Sequence, residues 1–141
     1  MSFIKENLYK EIIKNVPILC IDLIIIYHNR YLLVKRNDNP LKDEWWVPGG
    51  RVYIGESLED AAKRKLIEEL NLPVEDTFKL AGFYEDIFEE SSFGPHLYQT
   101  MSVVFSMILK ELPSINLDLT SSDWEFKTQL PIRFSNKLRR L

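Results

Sequence analysis

The segment from Ile18 to Tyr27 limits the possible folds more than any other part of this chain. It reads ILCIDLIIIY, nearly all apolar and rich in β-branched residues, with Asp22 as its one charged residue. Such a run suits a strand buried on both faces, since a half-exposed strand or surface helix would show polar residues at regular intervals. A strand of that kind needs layers packed above and below it. Upstream, Phe3, Ile4, Leu8, Ile12 and Ile13 recur at helical spacing among Lys and Glu. They predict a short amphipathic helix over about residues 3–15, ended by Pro17.

Downstream, His28-Asn29-Arg30 is a polar turn and Tyr31 to Lys35 a second strand, so the pair reads as a hairpin. A polar loop with Pro40 follows, and Trp45-Trp46-Val47 leads into Pro48-Gly49-Gly50. Leu58 to Leu70 contains good helix formers and neither Gly nor Pro. Ser57 and Asp60 form a capping pattern at its start, Asn71 suits a left-handed stop, and Pro73 forbids continuation. Phe78 to Phe88 and Leu97 to Leu109 predict two further strands around an acidic loop, Glu89 to Pro95. Asp123 to Phe126 predicts a last strand, and Ser135 to Leu141 a short basic helix or frayed tail. No repeat or linker divides residues 1–141, which read as a single domain. Strands, then a helix, then strands point to an α+β sandwich around a mixed sheet.

A net charge of −3 leaves no global basic field to attract nucleic acid. An anionic small molecule must then be met locally, by a metal or by a few Arg and Lys. No apolar run approaches the ~20 residues of a membrane span, and Met1 to Lys14 lacks the apolar stretch of a signal peptide. The expectation is a soluble cytoplasmic protein without a membrane or nucleic-acid partner. Cys20, the single cysteine, cannot form an internal disulfide and reads as a buried thiol.

The residues that suggest chemistry lie between Gly49 and Leu72. Gly49-Gly50 lets backbone carbonyls approach a ligand with no side chain in the way. Glu56, Arg64, Lys65, Glu68 and Glu69 follow. On an α-helix turning about 100° per residue, Arg64 shares a face with Glu68, and Lys65 with Glu69. Hard cations such as Mg²⁺ take carboxylate and carbonyl oxygens and share phosphate oxygens with a substrate. The plainer alternative is a pair of surface ion pairs worth about 0.3–0.5 kcal/mol each. Spacing alone leaves both readings open.

Residues 50–72 resemble the Nudix box, G-x5-E-x7-R-E-U-x-E-E-x-G-U, where U is a bulky aliphatic residue. Gly50, Glu56, Arg64, Leu66, Glu68, Glu69 and Leu72 match it, while Lys65 replaces a Glu and Asn71 a Gly. The resemblance implies a Nudix fold, an α/β/α sandwich around a mixed sheet. Lys65 removes a carboxylate that helps hold a metal cluster in standard members. A resemblance to the GDP-mannose mannosyl hydrolase branch extends beyond the box and covers most of residues 16–109. The stretches that carry this are Pro17 to Asp22, Leu32 to Arg36, Trp45 to Val52 and Glu56 to Ala62.

That branch implies water attacking the sugar's anomeric carbon, with release of free sugar and GDP from GDP-mannose or GDP-glucose. The alternatives are a Nudix pyrophosphatase acting on a sugar nucleotide, ADP-ribose or nucleotide triphosphate, and an inactive nucleotide-binding module. The cofactor implied is Mg²⁺, with Mn²⁺ as a substitute. Carried over by position, Glu69 and the Gly49 carbonyl bind the metal, with Glu68 and Gln99 as further candidates. Arg36 and Arg51 contact the diphosphate, and Asp22 sits near the sugar or an Arg. The branch's general base resembles a His where this chain has Thr100. His96 is the nearest histidine, with a solvated loop residue as the alternative. The branch also implies a homodimer using the N-terminal segment, whose apolar face would pack equally well on its own domain.

Overall fold

The computed structural model describes residues 4–112, 114–115 and 121–141. Strand β1 (Ile18–Tyr27) lies at the centre, as its composition requires. Ile21, Leu23 and Ile25 point to one face and Asp22 and Ile24 to the other, all buried, because successive side chains alternate across a pleated strand. His28 and Asn29 both take positive φ, giving a two-residue turn into β2 (Arg30–Arg36). Two short strands follow, β3 (Trp45–Trp46) on β2 and β4 (Gly49–Arg51) on β1. Periodicity could not show them, because two or three residues make no period and their partners lie elsewhere in the chain.

Beyond the box helix, β5 (Lys79–Ser91) and β6 (Gly94–Ile108) form a long hairpin. The expected acidic loop, Glu89 to Pro95, is therefore mostly strand, with Ser92 and Phe93 alone forming the turn. Phe88 and Tyr98 stack across it with ring centroids 6.1 Å apart, the kind of cross-strand pair that holds a ribbon together. β6 runs parallel to β1 from the Ile18–Thr100 pair to the Ile26–Ile108 pair. β7 (Ser121–Lys127) pairs with β2 and β8 (Arg139–Arg140) with β5. The sheet runs β3-β2-β1-β6-β5-β8, with β4 beside β1 and β7 beside β2.

Helix α1 spans Glu6–Asn15, starting later than the apolar spacing suggested. Helix α2 (Leu58–Arg64) is capped by the Ser57 hydroxyl, which accepts from the Asp60 N–H at 3.0 Å. It continues as five residues of π-helix, Lys65–Glu69, and stops at Asn71 with φ 58°. Its Ala61, Ala62, Leu66 and Leu70 pack on Ile21, Leu23 and Ile25 of one sheet face. Helix α3 spans Ile132–Lys137, upstream of the expected tail helix, and Arg139–Arg140 is strand. Its fully buried Phe134 meets Trp46 and Tyr84 edge-on, at 5.7 and 5.3 Å, on the opposite face. Helices on both faces of a mixed sheet make the α/β/α sandwich. No helix among the described residues is long and apolar enough to cross a membrane.

Candidate active site

A cleft of about 290 Å³ opens on the α3-side face of the sheet, at the N-terminal half of β1. Asp22, Arg36, Gly49 and Arg51 line it together, as does Thr100. They meet because β4 lies antiparallel to β1, with Gly49 opposite Asp22 and Arg51 opposite Cys20. Residues directly opposite share a face. The Gly49 position is sterically filled. A Cβ there would overlap the Asp22 carboxylate and lie 2.6 Å from the Ile21 carbonyl oxygen.

The ladder also aims the backbone. Leu23 N–H donates to the Pro48 carbonyl and Val52 N–H to the Leu19 carbonyl, at 2.8 and 3.0 Å. Alternation then makes Asp22/Gly49 and Cys20/Arg51 the pairs without ladder bonds, so the Gly49 and Arg51 carbonyls turn away from β1. The Arg51 carbonyl accepts from Arg64 Nη2 at 3.1 Å on that outer edge.

Arg64 organises the box. Its guanidinium forks onto Glu56, with Nε to Oε2 at 2.7 Å and Nη2 to Oε1 at 3.1 Å. This hydrogen bonding holds the Glu56 carboxyl below its ordinary range. Glu56 also accepts from the Tyr53 N–H at 2.7 Å, which closes the loop before α2. Arg64 reaches Glu69 as well, at 3.4 Å. That pair is i,i+5 rather than the i,i+4 pair with Glu68 that an α-helix implies. The cause is the π-helical turn, in which Leu70 N–H bonds the Lys65 carbonyl five residues back. The turn widens there, bringing Glu69 under Arg64 and leaving Glu68 exposed. Lys65 is only 4% exposed and pairs with Glu69 at 3.4 Å.

The cleft's own titrating groups are shifted by burial. Desolvation pushes the Asp22 carboxyl up to about 6, against the opposing pull of its bond from the Tyr84 hydroxyl and of the Arg36 and Lys65 charges. Burial pushes the Cys20 thiol up to about 12, with the neighbouring Asp22 adding to it. Burial likewise raises the Tyr98 and Tyr84 phenols. The Arg36 guanidinium is fixed by a 2.8 Å bond from Nε to the Pro40 carbonyl.

Gln99 sits one residue out of step with Tyr98, Thr100 and Ser102, which line the cleft, so the pleat sends it to the other face. His96 lies in β6 rather than in a loop. Its Nδ1–H donates to the Leu97 carbonyl at 2.7 Å, because a carbonyl can only accept, and its Nε2 shares a 2.5 Å hydrogen bond with the Ser91 hydroxyl. Neither His96 nor Glu68 nor Glu69 lines the cleft.

Two features escaped the sequence reading. One is an alternating series of aromatic rings and guanidinium groups. Arg64 lies 3.8 Å from the Tyr53 ring centre, Arg51 5.0 Å from the same ring, and Arg51 5.7 Å from Tyr9 of α1. The other is Asp86, 1% exposed, held by Arg133 at 2.6 and 2.9 Å and by Lys137 at 3.4 Å. It ties α3 to the strand that carries Tyr84. Neither has a local signal, because each joins residues from separate elements.

Among the described residues, no three His, Cys, Asp or Glu side chains gather as a metal group. A single hard cation fits the groups present, since it needs few protein oxygens when substrate phosphate and water supply the rest. Glu69 offers one, beside the β4 edge where Arg64 binds the Arg51 carbonyl and where the Gly49 carbonyl also points.

The chain belongs to the Nudix family. The family model, NUDIX domain, matches residues 20–128. The chain is similar to the low-salt glycan biosynthesis protein Agl8 of Haloferax volcanii, at 36% identity over 88 residues, covering 62% of this chain and 56% of that protein. It is also similar to an ADP-ribose pyrophosphatase of Methanocaldococcus jannaschii, at 40% identity over 68 residues, covering 48% and 40%. The chain thus matches about half the length of these relatives. Its fold resembles a MutT protein from Methanosarcina mazei Go1, with TM-score 0.67 at 19% identity over 86% of this chain and 91% of that one. It also resembles the NUDIX domain of Shewanella oneidensis NrtR, solved with ADP ribose, with TM-score 0.61 at 18% identity over 96% and 89%.

Proposed function

We propose that this chain is a Mg²⁺-dependent hydrolase of nucleoside diphosphate sugars that releases free sugar and nucleoside diphosphate, with GDP-mannose or GDP-glucose as substrate. One observation carries the reading. Arg36, Arg51 and Asp22 face a single cleft, while Lys65 replaces a box carboxylate and neutralises Glu69. Two guanidinium groups match a diphosphate, which presents charged oxygens to planar N–H forks. The weakened carboxylate set matches chemistry that asks for leaving-group assistance rather than attack at phosphorus.

Glu69 and the Gly49 carbonyl would hold the cation, Mg²⁺ or Mn²⁺, which supplies Lewis-acid polarisation of the diphosphate. Arg36 and Arg51 bind the diphosphate and offset the charge that builds as it departs. Arg64 keeps Glu56 and the Arg51 carbonyl in place, so Arg51 is aimed from a fixed backbone. Asp22, buried with Tyr84 beside it, lies in the same cleft and has a proton affinity close to neutrality. Thr100 lines the cleft where the branch resemblance has a His, and His96 is tied to Ser91 and Leu97. A general base contributes about 10²–10⁴-fold, so slow turnover is the expected behaviour.

A second reading is favoured by the pyrophosphatase relative: cleavage of the diphosphate of ADP-ribose or a sugar nucleotide. Hydrolysis of GDP-mannose in ¹⁸O-water with Mg²⁺ separates the two. Label in free mannose supports glycosyl cleavage. Label in GMP or mannose 1-phosphate, or ADP-ribose as the one substrate turned over, overturns it.

A further inference from the structure

Helix α1 lies wholly before Cys20, where the family match begins, yet it closes one side of the cleft with Tyr9 and Ile13. What it contributes comes from outside the segment that the family model matches. Tyr9 is held on both flanks: its ring meets Phe93 at the tip of the β5–β6 hairpin edge-on at 6.2 Å, and the Arg51 guanidinium lies 5.7 Å from its centre. Tyr9, the Cys20 thiol and the Tyr98 phenol line the same cleft, and burial raises all three.

The polar groups on this side are neutral. Tyr9, Tyr98 and Cys20 are protonated at neutral pH, and Ser91, Ser92 and Thr100 continue the wall with hydroxyls. Hydroxyl groups donate and accept hydrogen bonds equally, and so match a polyhydroxylated ring. The aromatic faces offer a surface for its C–H groups. A phosphate would instead seek the cations of the same cleft, Arg36 and Arg51.

We infer that Tyr9 and Tyr98 form a subsite for the uncharged glycosyl group of the substrate, next to the diphosphate-binding Arg51, and that Tyr9 determines glycosyl specificity. This rests on the nucleotide-sugar reading above. It places the sugar between α1 and the β5–β6 hairpin, so the N-terminal helix is part of the binding site.

The test compares binding of GDP-mannose and GDP by calorimetry with Mg²⁺ present, and in parallel ADP-ribose and ADP. Wild-type protein should bind the glycosylated member of a pair more tightly. Tyr9→Phe, which keeps the ring and its packing, should reduce that preference roughly threefold to tenfold, the value of one lost hydrogen bond. Tyr9→Ala should abolish it, while affinity for the bare diphosphate stays within about twofold. Equal affinity of wild type for both members, or a parallel loss of both in Tyr9→Ala, overturns the subsite and leaves the nucleotide-sugar reading standing. Failure of wild type to bind any of the four overturns both. Far-UV circular dichroism and a melting curve confirm that each variant retains its fold.

Discussion

Asp22 and Gly49 face each other across the β1–β4 ladder, with the Asp22 carboxylate occupying the space where a residue-49 side chain would begin. The close approach joins two roles in one place. The absent Cβ lets a buried acid lie over the backbone of β4, and the ladder turns the Gly49 carbonyl away from β1.

Gly49→Ala should therefore be costly although it adds one methyl group. Overpacking in a core costs about 1–3 kcal/mol, and here the obstruction is backbone as well as side chain. Urea denaturation should show a loss at or above the upper end of that range. Gly50→Ala is the control, because nothing lies within 4 Å of its added Cβ, and it should fall within about 1 kcal/mol of wild type.

Asp22 gives a pH dependence of stability in metal-free buffer. Its folded-state value, about 6, stands above the ordinary 3.8 because burial penalises the carboxylate. The folded protein thus holds the proton more tightly than the unfolded chain. The contribution is fully present below about pH 4 and is lost as pH rises toward 6. At about 1.4 kcal/mol per pH unit this amounts to a fall on the order of 3 kcal/mol. Asp22→Asn cannot ionise, so the difference between wild type and variant should change by that amount between pH 4 and 7. A difference constant across the range would show that Asp22 titrates normally.

Lys65→Glu restores the carboxylate that the family box carries. Without metal it sets a second acid beside Glu69 in a buried position, and the melting temperature should drop. Added Mg²⁺ should then stabilise the variant, by about 2.7 kcal/mol once the ion exceeds its dissociation constant a hundredfold, and by more than it stabilises wild type at the same concentration. Identical Mg²⁺ shifts in both proteins would argue that Glu69 lies outside the cation site.

Arg133→Met tests the anchor of α3. It leaves the buried Asp86 with Lys137 at 3.4 Å and the Ile87 N–H at 3.0 Å, and stripping a partner from a buried charge costs about 3–5 kcal/mol. The double variant Arg133→Met/Asp86→Asn should recover part of that loss, because the unpaired charge has gone. Additive losses in the double variant would show that the two side chains do not interact.

The fold is largely legible in the sequence. The apolar run of β1, the hairpin after it and the capped helix at Ser57 all follow from residue type and spacing, and each appears within a few residues of its expected bounds. The longest error was at Glu89 to Pro95, where acidic residues and Gly-Pro read as a loop. There the cross-strand contact of Phe88 with Tyr98, ten residues apart in sequence, holds the ribbon together. Arg36, Arg51, Asp22 and Gly49, which the flanking resemblance names, line one cleft, whereas strand phase turns Gln99 to the other face and hydrogen bonds hold His96 to Ser91 and Leu97.

By itself, the sequence determined what is local or periodic: a doubly buried strand, a helix with its cap and stop, and a box whose departure at Lys65 is visible residue by residue. Only the tertiary structure decided which charges meet. The π-helical turn moves Glu69 rather than Glu68 beneath Arg64. The β1–β4 register lays Asp22 against Gly49, and α1 brings Tyr9 to Arg51. Each depends on a long-range pairing or on a single turn of i→i+5 bonding. Contacts of that kind are fixed by the packing of whole elements, which no single segment encodes.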